Sequence, residues 1–360
     1  MRIGYICGFN TYPPIAGGSV HAFQVTSGLI KNNHELFGFE YEKNPFFRNF
    51  PLTKVGAINL AKNIEVLYIR CDSFCYDEMY TLLKVINFFK LPVVWEINAP
   101  VEEIYAFGNQ YSNKKIVRKS NIKRKLLAKL VNASICVSKE IQSYSQKYLQ
   151  IKNSYLVPNG SDPILFSPDK KNTEILRDYS NRFKILWAGR SEFPWQGIDI
   201  IEKLADKMWQ VNRNVLFILL TDPKNIKVEG KPNLLVFNTV DYFLLPEYLN
   251  AVDATLALYG DYSWCKYGFY GSSLKLFDYM SCACPVIATN LGQVGRIIKN
   301  YENGLLTDNN IDDLIKKILF LIKYPQRAKI MGENARQDII RFYNWDRVIN
   351  QTQSILENVI

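Results

Sequence analysis

The chain has 360 residues, 48% of them hydrophobic, and a formal net charge of +10 from 44 basic and 34 acidic side chains. At roughly 150 residues per domain this length fits two domains with their own cores, and no stretch approaches the ~20 apolar residues needed to span a bilayer. With only two histidines, His21 and His34, a histidine-rich metal site is excluded, and the seven cysteines, an odd number spread along the chain, read as reduced thiols.

In chain order, "RIGYIC" (2–7) reads as an opening strand and not a leader, because "GFNTYPP" breaks the apolar run at once. A cytoplasmic protein is expected. In "IAGGSVHAF", Gly17 and Gly18 let backbone approach a ligand closely before a helix carrying His21 begins, and His21 either faces that ligand or is a satisfied core histidine. Strands follow at 35–40, 65–69 and 93–97. "WEINAPVEE" (95–103) then sets Glu96, Asn98, Glu102 and Glu103 at a strand end, where they are candidates for binding acceptor hydroxyls.

The segment 113–130, "NKKIVRKSNIKRKLLAKL", packs Lys114, Lys115, Arg118, Lys119, Lys123, Arg124, Lys125 and Lys129 around Ile116, Val117, Ile122, Leu126, Leu127 and Leu130. It reads as a basic amphipathic helix, either plainly solvated or in contact with an anionic membrane surface. No zinc-finger spacing or RNA-binding aromatic motif accompanies the charge, so nucleic acid is not an expected partner.

Strands at 134–137 and 155–158 complete the first half. A Pro/Gly/Ser/Asp-rich connection, "NGSDPILFSPDKKN" (159–172), leads to a second series at 183–189, 215–220, 234–238, 254–259 and 285–289. Short apolar runs alternating with amphipathic segments predict α/β architecture: two Rossmann-like, doubly wound domains facing a cleft, at 1–165 and 166–342, with a C-terminal helix at 343–360 free to pack back on the first. Ligands of such sheets bind at the carboxyl ends of the strands.

Neither a G-x-G-x-x-G after the first strand nor a P-loop is present, and no G-x-S-x-G elbow accompanies the two histidines. The absence of a D-x-D pair points to an anionic leaving group neutralised by protein, with no metal or cofactor expected. Arg190, two residues past "ILWA", is a permanently charged candidate for that task; a strand-end ion pair is its other reading. Gly271, Ser272 and Ser273 precede "LKLFDYM" as a helix start whose first-turn N–H groups suit a phosphate, with Leu274 and Lys275 in that turn.

Four stretches together resemble the retaining glycosyltransferases of the GT-B fold, family 4: the Gly17–Gly18 loop, "VPNGSDPILFSP", "AGRSEFPWQGIDII" and "SLKLFDYMSCACPVIATN". The resemblance implies a nucleotide-sugar donor on the second domain, a glycan or lipid-linked acceptor on the first, and front-face transfer in which the departing phosphate helps deprotonate the acceptor. It implies a diphosphate contact for Arg190 and for a lysine at the position held here by Gln196, so Arg190 and backbone dipoles supply more of the charge or Lys275 substitutes. It also implies a ribose contact for Asp278, at the second of two positions the family fills with glutamates, while Tyr270 stands at the first. Two rivals keep the same fold: a non-catalytic nucleotide-sugar-binding subunit, and a sugar-nucleotide epimerase or phosphorylase, which the scarcity of histidines and lack of a cofactor-lysine motif disfavour.

Overall fold

A computed structural model of the chain describes residues 1–8, 11–39, 44–71, 77–106, 114–226, 230–262, 264 and 266–360, without side-chain detail at 77–81 and 225. The described residues form two compact units: Met1–Asn159 with Ser263–Ser272 and Trp345–Ile360, and Gly160–Tyr262 with Ser273–Asn344.

The first unit contains β1 (Arg2–Cys7), α1 (Gly17–Lys31), β2 (Glu35–Phe39), β3 (Arg48–Phe50), α2 (Lys54–Asn63), β4 (Val66–Arg70), α3 (Asp77–Phe88), β5 (Val93–Ile97), α4 (Lys114–Ala128), β6 (Ala133–Cys136), α5 (Lys139–Ser143) and β7 (Ser154–Leu156). Its strands pair in parallel in the order β3-β2-β1-β4-β5-β6-β7. Both faces of the central strands are covered, so β4 and β5 are buried throughout, the pattern of a parallel sheet between helices. The chain runs outward from β1 to β3 and returns to β4 on the other side. The strand order therefore reverses between β1 and β4, and a doubly wound sheet opens its crevice at the carboxyl ends of that pair.

The second unit repeats the plan with β8 (Phe183–Ala188), α6 (Ile198–Val211), β9 (Val215–Leu220), β10 (Leu234–Phe237), α7 (Leu245–Leu249), β11 (Ala254–Ala257), α8 (Leu274–Ser281), β12 (Val286–Thr289), α9 (Gly292–Ile297), β13 (Leu305–Thr307), α10 (Ile311–Lys323) and α11 (Pro325–Phe342). The order is β10-β9-β8-β11-β12-β13, with the reversal between β8 and β11. Trp187, Phe217, Leu204 and Met208 are fully buried in its core. The last helix, α12 (Trp345–Glu357), belongs to the first unit, where it lies on α1. The two helices pack closely at Gly28, where a Cβ would come 2.0 Å from Ile349 Cδ1 and force that side chain to shift.

The α/β class read from the sequence is the class observed, with differences in detail. Strands β3 and β13 were not expected, because three-residue edge strands are too short to show a period. The strand expected at 254–259 stops at Ala257. Arg124, expected on the charged face of the basic helix, points inward: it is fully buried, its guanidinium lying 5.0 Å from the Trp95 ring centre while Nη2 donates to Ala99 O at 2.9 Å. Cys282 and Cys284 are buried free thiols.

Candidate active site

In the first unit, polar side chains collect at the carboxyl ends of β4 and β5 around Glu96, which is fully buried. Its carboxylate accepts from Arg70 Nε at 2.9 Å, from Asn98 Nδ2 at 2.7 Å and from the Tyr68 hydroxyl, and lies 2.9 Å from His21 Nε2. Arg70 also donates from Nη1 to Gly18 O at 2.7 Å, tying the glycine loop to β4. Burial opposes the charge on Glu96, but His21, Arg70 and the Tyr68 hydroxyl together hold its carboxyl well below the usual range. The same burial, reinforced by the neighbouring carboxylate, pushes the Tyr68 hydroxyl well up.

Both ring nitrogens of His21 are engaged. Nε2 meets Glu96, and Nδ1 lies 2.6 Å from Asn159 Oδ1. The Asn159 amide is held in turn, its Nδ2 donating to Ser272 O at 2.8 Å and its backbone N–H to Ser272 Oγ at 3.0 Å. The ring of Trp345, the first residue of α12, sits 5.5 Å from the imidazole, edge to face. His21 is thus a buried structural link as much as a candidate catalyst. Glu96 has no face open to an acceptor, whereas Asn98 is partly exposed. Glu102 is buried with Oε2 unpartnered and Oε1 3.6 Å from Lys266 Nζ. Tyr270 is also a first-unit residue: its hydroxyl donates to Glu103 Oε1 at 2.8 Å and its carbonyl accepts from Ser138 Oγ at 2.7 Å.

In the second unit, the chain leaves β8 through Gly189 and Arg190. Arg190 is exposed, ion-paired to Glu192 and stacked 5.0 Å from the Phe193 ring. A short turn, Pro194–Gln196, then enters α6 through Gly197, whose φ of +71° and close approach to Leu258 O favour glycine. Gln196 Oε1 accepts from Lys275 Nζ at 2.7 Å, and that ammonium lies 4.0 Å from the Trp187 ring centre and 5.7 Å from that of Tyr259. Desolvation pulls the Lys275 ammonium well below its usual range. Ser273 caps α8 by accepting from Leu276 N at 3.2 Å, and its hydroxyl also meets that of Tyr259. Leu274 and Lys275, the first two helical residues, are partly exposed. Asp278 is buried; it accepts from Ser161 Oγ at 2.6 Å, and burial, with Asp162 nearby, pushes its carboxyl up to about 8 despite that bond. Among the described residues, no group of three or more His, Cys, Asp or Glu side chains is assembled to hold a metal.

Residues 169–338 match the family described as glycosyl transferases group 1. That segment, a little under half of the chain, is similar to the group 1 glycosyltransferases. Two proteins of Methanocaldococcus jannaschii, each named an uncharacterized glycosyltransferase, are similar to this chain. One is 25% identical over 385 aligned positions, covering 97% of this chain and 96% of that protein. The other is 21% identical over 239 residues, and the match spans 66% of this chain and 61% of the relative's length. The solved structure of Anabaena Alr3699/HepE in complex with UDP-glucose matches with a TM-score of 0.70 over 99% of this chain and 100% of that one, at 15% identity. At that identity the likeness is one of fold, and the fold is that of GT-B glycosyltransferases.

The group 1 segment contains Arg190, Gln196, Lys275 and Asp278, and also Tyr270 and Ser272, which pack in the first unit. Gly17, Gly18, His21 and Glu96 lie outside it. Sequence reasoning missed Tyr68, Arg70, Asn159, Ser161, Trp187 and Tyr259. Tyr68 and Arg70 carried a signal, since an arginine closing the apolar run "VLYIR" must find an anion or leave the sheet.

Proposed function

We propose that this chain is a retaining, metal-independent glycosyltransferase that moves a sugar from a nucleoside diphosphate sugar to a glycan or lipid-linked acceptor in the building of a polysaccharide or glycolipid. The observation that carries the reading is the pair of cations beside the end of β8, Arg190 and Lys275, with the first turn of α8 supplying N–H groups at the same position in the fold. The bond from the anomeric carbon to the diphosphate breaks, the acceptor oxygen bonds to that carbon on the same face, and the acceptor proton passes to the departing diphosphate. Fixed positive charge where phosphate charge develops lowers the barrier. That neither His21 nor Glu96 has a free atom to act as a base supports giving the proton to the leaving group. The UDP-glucose complex of the Anabaena protein makes a uridine donor the first to try.

The acceptor reading rests on the first unit, with Asn98 and Glu102 as its hydroxyl-binding candidates. Helix α4 exposes Lys114, Lys115, Arg118, Lys119 and Lys125 together with Ile122 and Leu126, an array suited to an anionic lipid surface on the cytoplasmic side. No described helix is long and apolar enough to cross a membrane.

The test is a thermal-shift panel of UDP, GDP, ADP and TDP and their sugars, since a ligand at 100 times its dissociation constant stabilises by about 2.7 kcal/mol. The stabilising donor is then assayed for transfer in EDTA, with the anomeric configuration of the product read by NMR. An inverted product would overturn retention, loss of transfer in EDTA would overturn metal independence, and no stabilisation by any donor would overturn the reading as a whole.

A further inference from the structure

The first unit is assembled from three separate runs of chain, and His21 stands where a boundary residue of each run comes together. The first run ends at Asn159, whose Oδ1 lies 2.6 Å from the imidazole Nδ1. The second ends at Ser272, which Asn159 holds, and the third begins at Trp345, whose ring lies 5.5 Å from the imidazole. His21 itself is buried. What it can hold there depends on its protons.

Each polar neighbour fixes one of them. Asn159 Nδ2 donates to the carbonyl of Ser272 at 2.8 Å, and a carbonyl only accepts, so the amide cannot be turned over. Asn159 Oδ1 therefore faces the ring, and Nδ1 must donate to it. On the other side, Glu96 is ionised beside the permanently charged Arg70, whose Nε donates to it at 2.9 Å. A carboxylate also only accepts, so Nε2 must donate as well. A neutral imidazole has one N–H and would leave two acceptors face to face on one side of the ring. The charged and titratable groups around His21 are Glu96 of β5 and, behind it, Arg70 and Tyr68 of β4; α12 presents the Trp345 ring.

We propose that His21 is held as an imidazolium and is a positioning residue, a proton-held clasp in which Nδ1–H orients Asn159 and Asn159 in turn holds Ser272, the residue immediately before the cap of α8. The second proton is what the clasp requires. When it leaves, either the pair with Glu96 or the bond to Asn159 is lost, and turning the amide to meet the bare Nδ1 would set Asn159 Oδ1 against Ser272 O. The clasp is therefore closed while the ring is doubly protonated and opens as pH rises. It depends on no choice of donor or acceptor, so it stands or fails separately from the reading above.

The experiment begins with NMR of the whole chain carrying isotope-labelled nitrogen in histidine alone. Only His21 and His34 then give signals, and a His34→Gln variant tells them apart. At about pH 8, more than a unit above the ordinary histidine value of ~6.5, both ring nitrogens of His21 are expected to carry protons. One unprotonated nitrogen at that pH overturns the proposal. The second measurement is amide hydrogen exchange of residues 266–272, read by mass spectrometry. Asn159→Leu, which keeps the size but not the amide, is expected to speed that exchange on the order of tenfold, the worth of about one hydrogen bond. His21→Phe should do the same, and the double variant no more than either, because the two side chains act as one unit. In wild type, exchange corrected for its intrinsic pH dependence should rise over the pH range in which the His21 signal titrates, and this step should vanish in Asn159→Leu. Additive losses, or a step that survives in Asn159→Leu, would reduce His21 to packing and overturn the clasp. Should His21→Phe not fold, the wild-type spectra and the step in Asn159→Leu decide.

Discussion

Glu96 and His21 stand 75 positions apart in sequence and meet at 2.9 Å inside the first unit, both almost wholly enclosed. A carboxylate this deep is stable only because Arg70, His21 and the Tyr68 hydroxyl surround it. Glu96→Gln keeps the volume but removes the buried charge that Arg70 and His21 face. The expected loss is about 3–5 kcal/mol in urea unfolding, the range for breaking a buried pair from one side. The pH dependence has a definite sign. The folded carboxyl titrates below its ordinary value of 4.5, so Glu96 contributes stability above that pH and loses it as pH falls further. Wild type should therefore weaken more steeply than Glu96→Gln below about pH 4.5. Parallel acid-unfolding curves would show that the carboxylate is not charged in the fold.

Asp278 has the opposite sign. Its carboxyl is pushed up to about 8 from 3.8, so the folded chain holds a proton that the unfolded chain releases, and stability falls as pH rises between those values. Asp278→Asn can still accept from Ser161 Oγ and carries no charge to desolvate. The variant is expected to match wild type at pH 4 and to exceed it at pH 8, by an amount on the order of a few kcal/mol. The ribose contact that the resemblance implies for Asp278 is tested in the same variant: it would weaken a nucleoside diphosphate by roughly 1.5–3 kcal/mol while sparing the 2′,3′-dideoxy analogue. Equal weakening of both ligands would assign Asp278 to the support of α8.

What was legible in the sequence was local. The strands β1, β5 and β9 stand at the expected residues because a parallel strand buried on both faces is a near-continuous apolar run, interrupted in β5 by Glu96, and Ser273 caps α8 as its residue type foretells. The bond between His21 and Asn159 spans 138 positions and depends on where two segments of the first unit meet, which no period records. Lys275 illustrates the middle case. Its place in the first turn of α8 could be read, but its contact with Gln196, 79 positions away, comes from the pairing of β11 with β8. Likewise the helical pattern of 113–130 gave an amphipathic helix yet set Arg124 on the wrong face, because an arginine between Trp95 and Tyr144 can satisfy its charge on their rings and on a backbone carbonyl.

That division of α4 separates two kinds of mutant. Changing Lys114, Lys115, Lys119 and Lys125 to glutamine is expected to weaken sedimentation with phosphatidylserine vesicles by about 1 kcal/mol per lysine, with added salt acting in the same direction. The melting temperature and transfer to a soluble acceptor should be unaffected. Arg124→Ala should do the reverse, lowering stability while leaving the exposed charges in place. Vesicle binding independent of salt, or absent in wild type, would reduce the face of α4 to a solvated one.

Arg190 is the exposed member of the cation pair at the end of β8, and its ion pair with Glu192 is solvent-facing. Such pairs contribute little to stability, so Arg190→Ala should leave the unfolding curve within about 0.5 kcal/mol of wild type. Its effect belongs to turnover. Removing one preorganised charge donor from a developing anion costs roughly two to three orders of magnitude in kcat. Glu192→Gln separates a contact with ligand from a surface ion pair. If Arg190 meets the diphosphate, releasing it from Glu192 should hold or tighten diphosphate affinity, because the ligand no longer competes with a carboxylate for the guanidinium. Turnover of Arg190→Ala within a few-fold of wild type, or a loss of affinity in Glu192→Gln equal to that in Arg190→Ala, would assign the pair to the loop and leave Lys275 as the cation of the site.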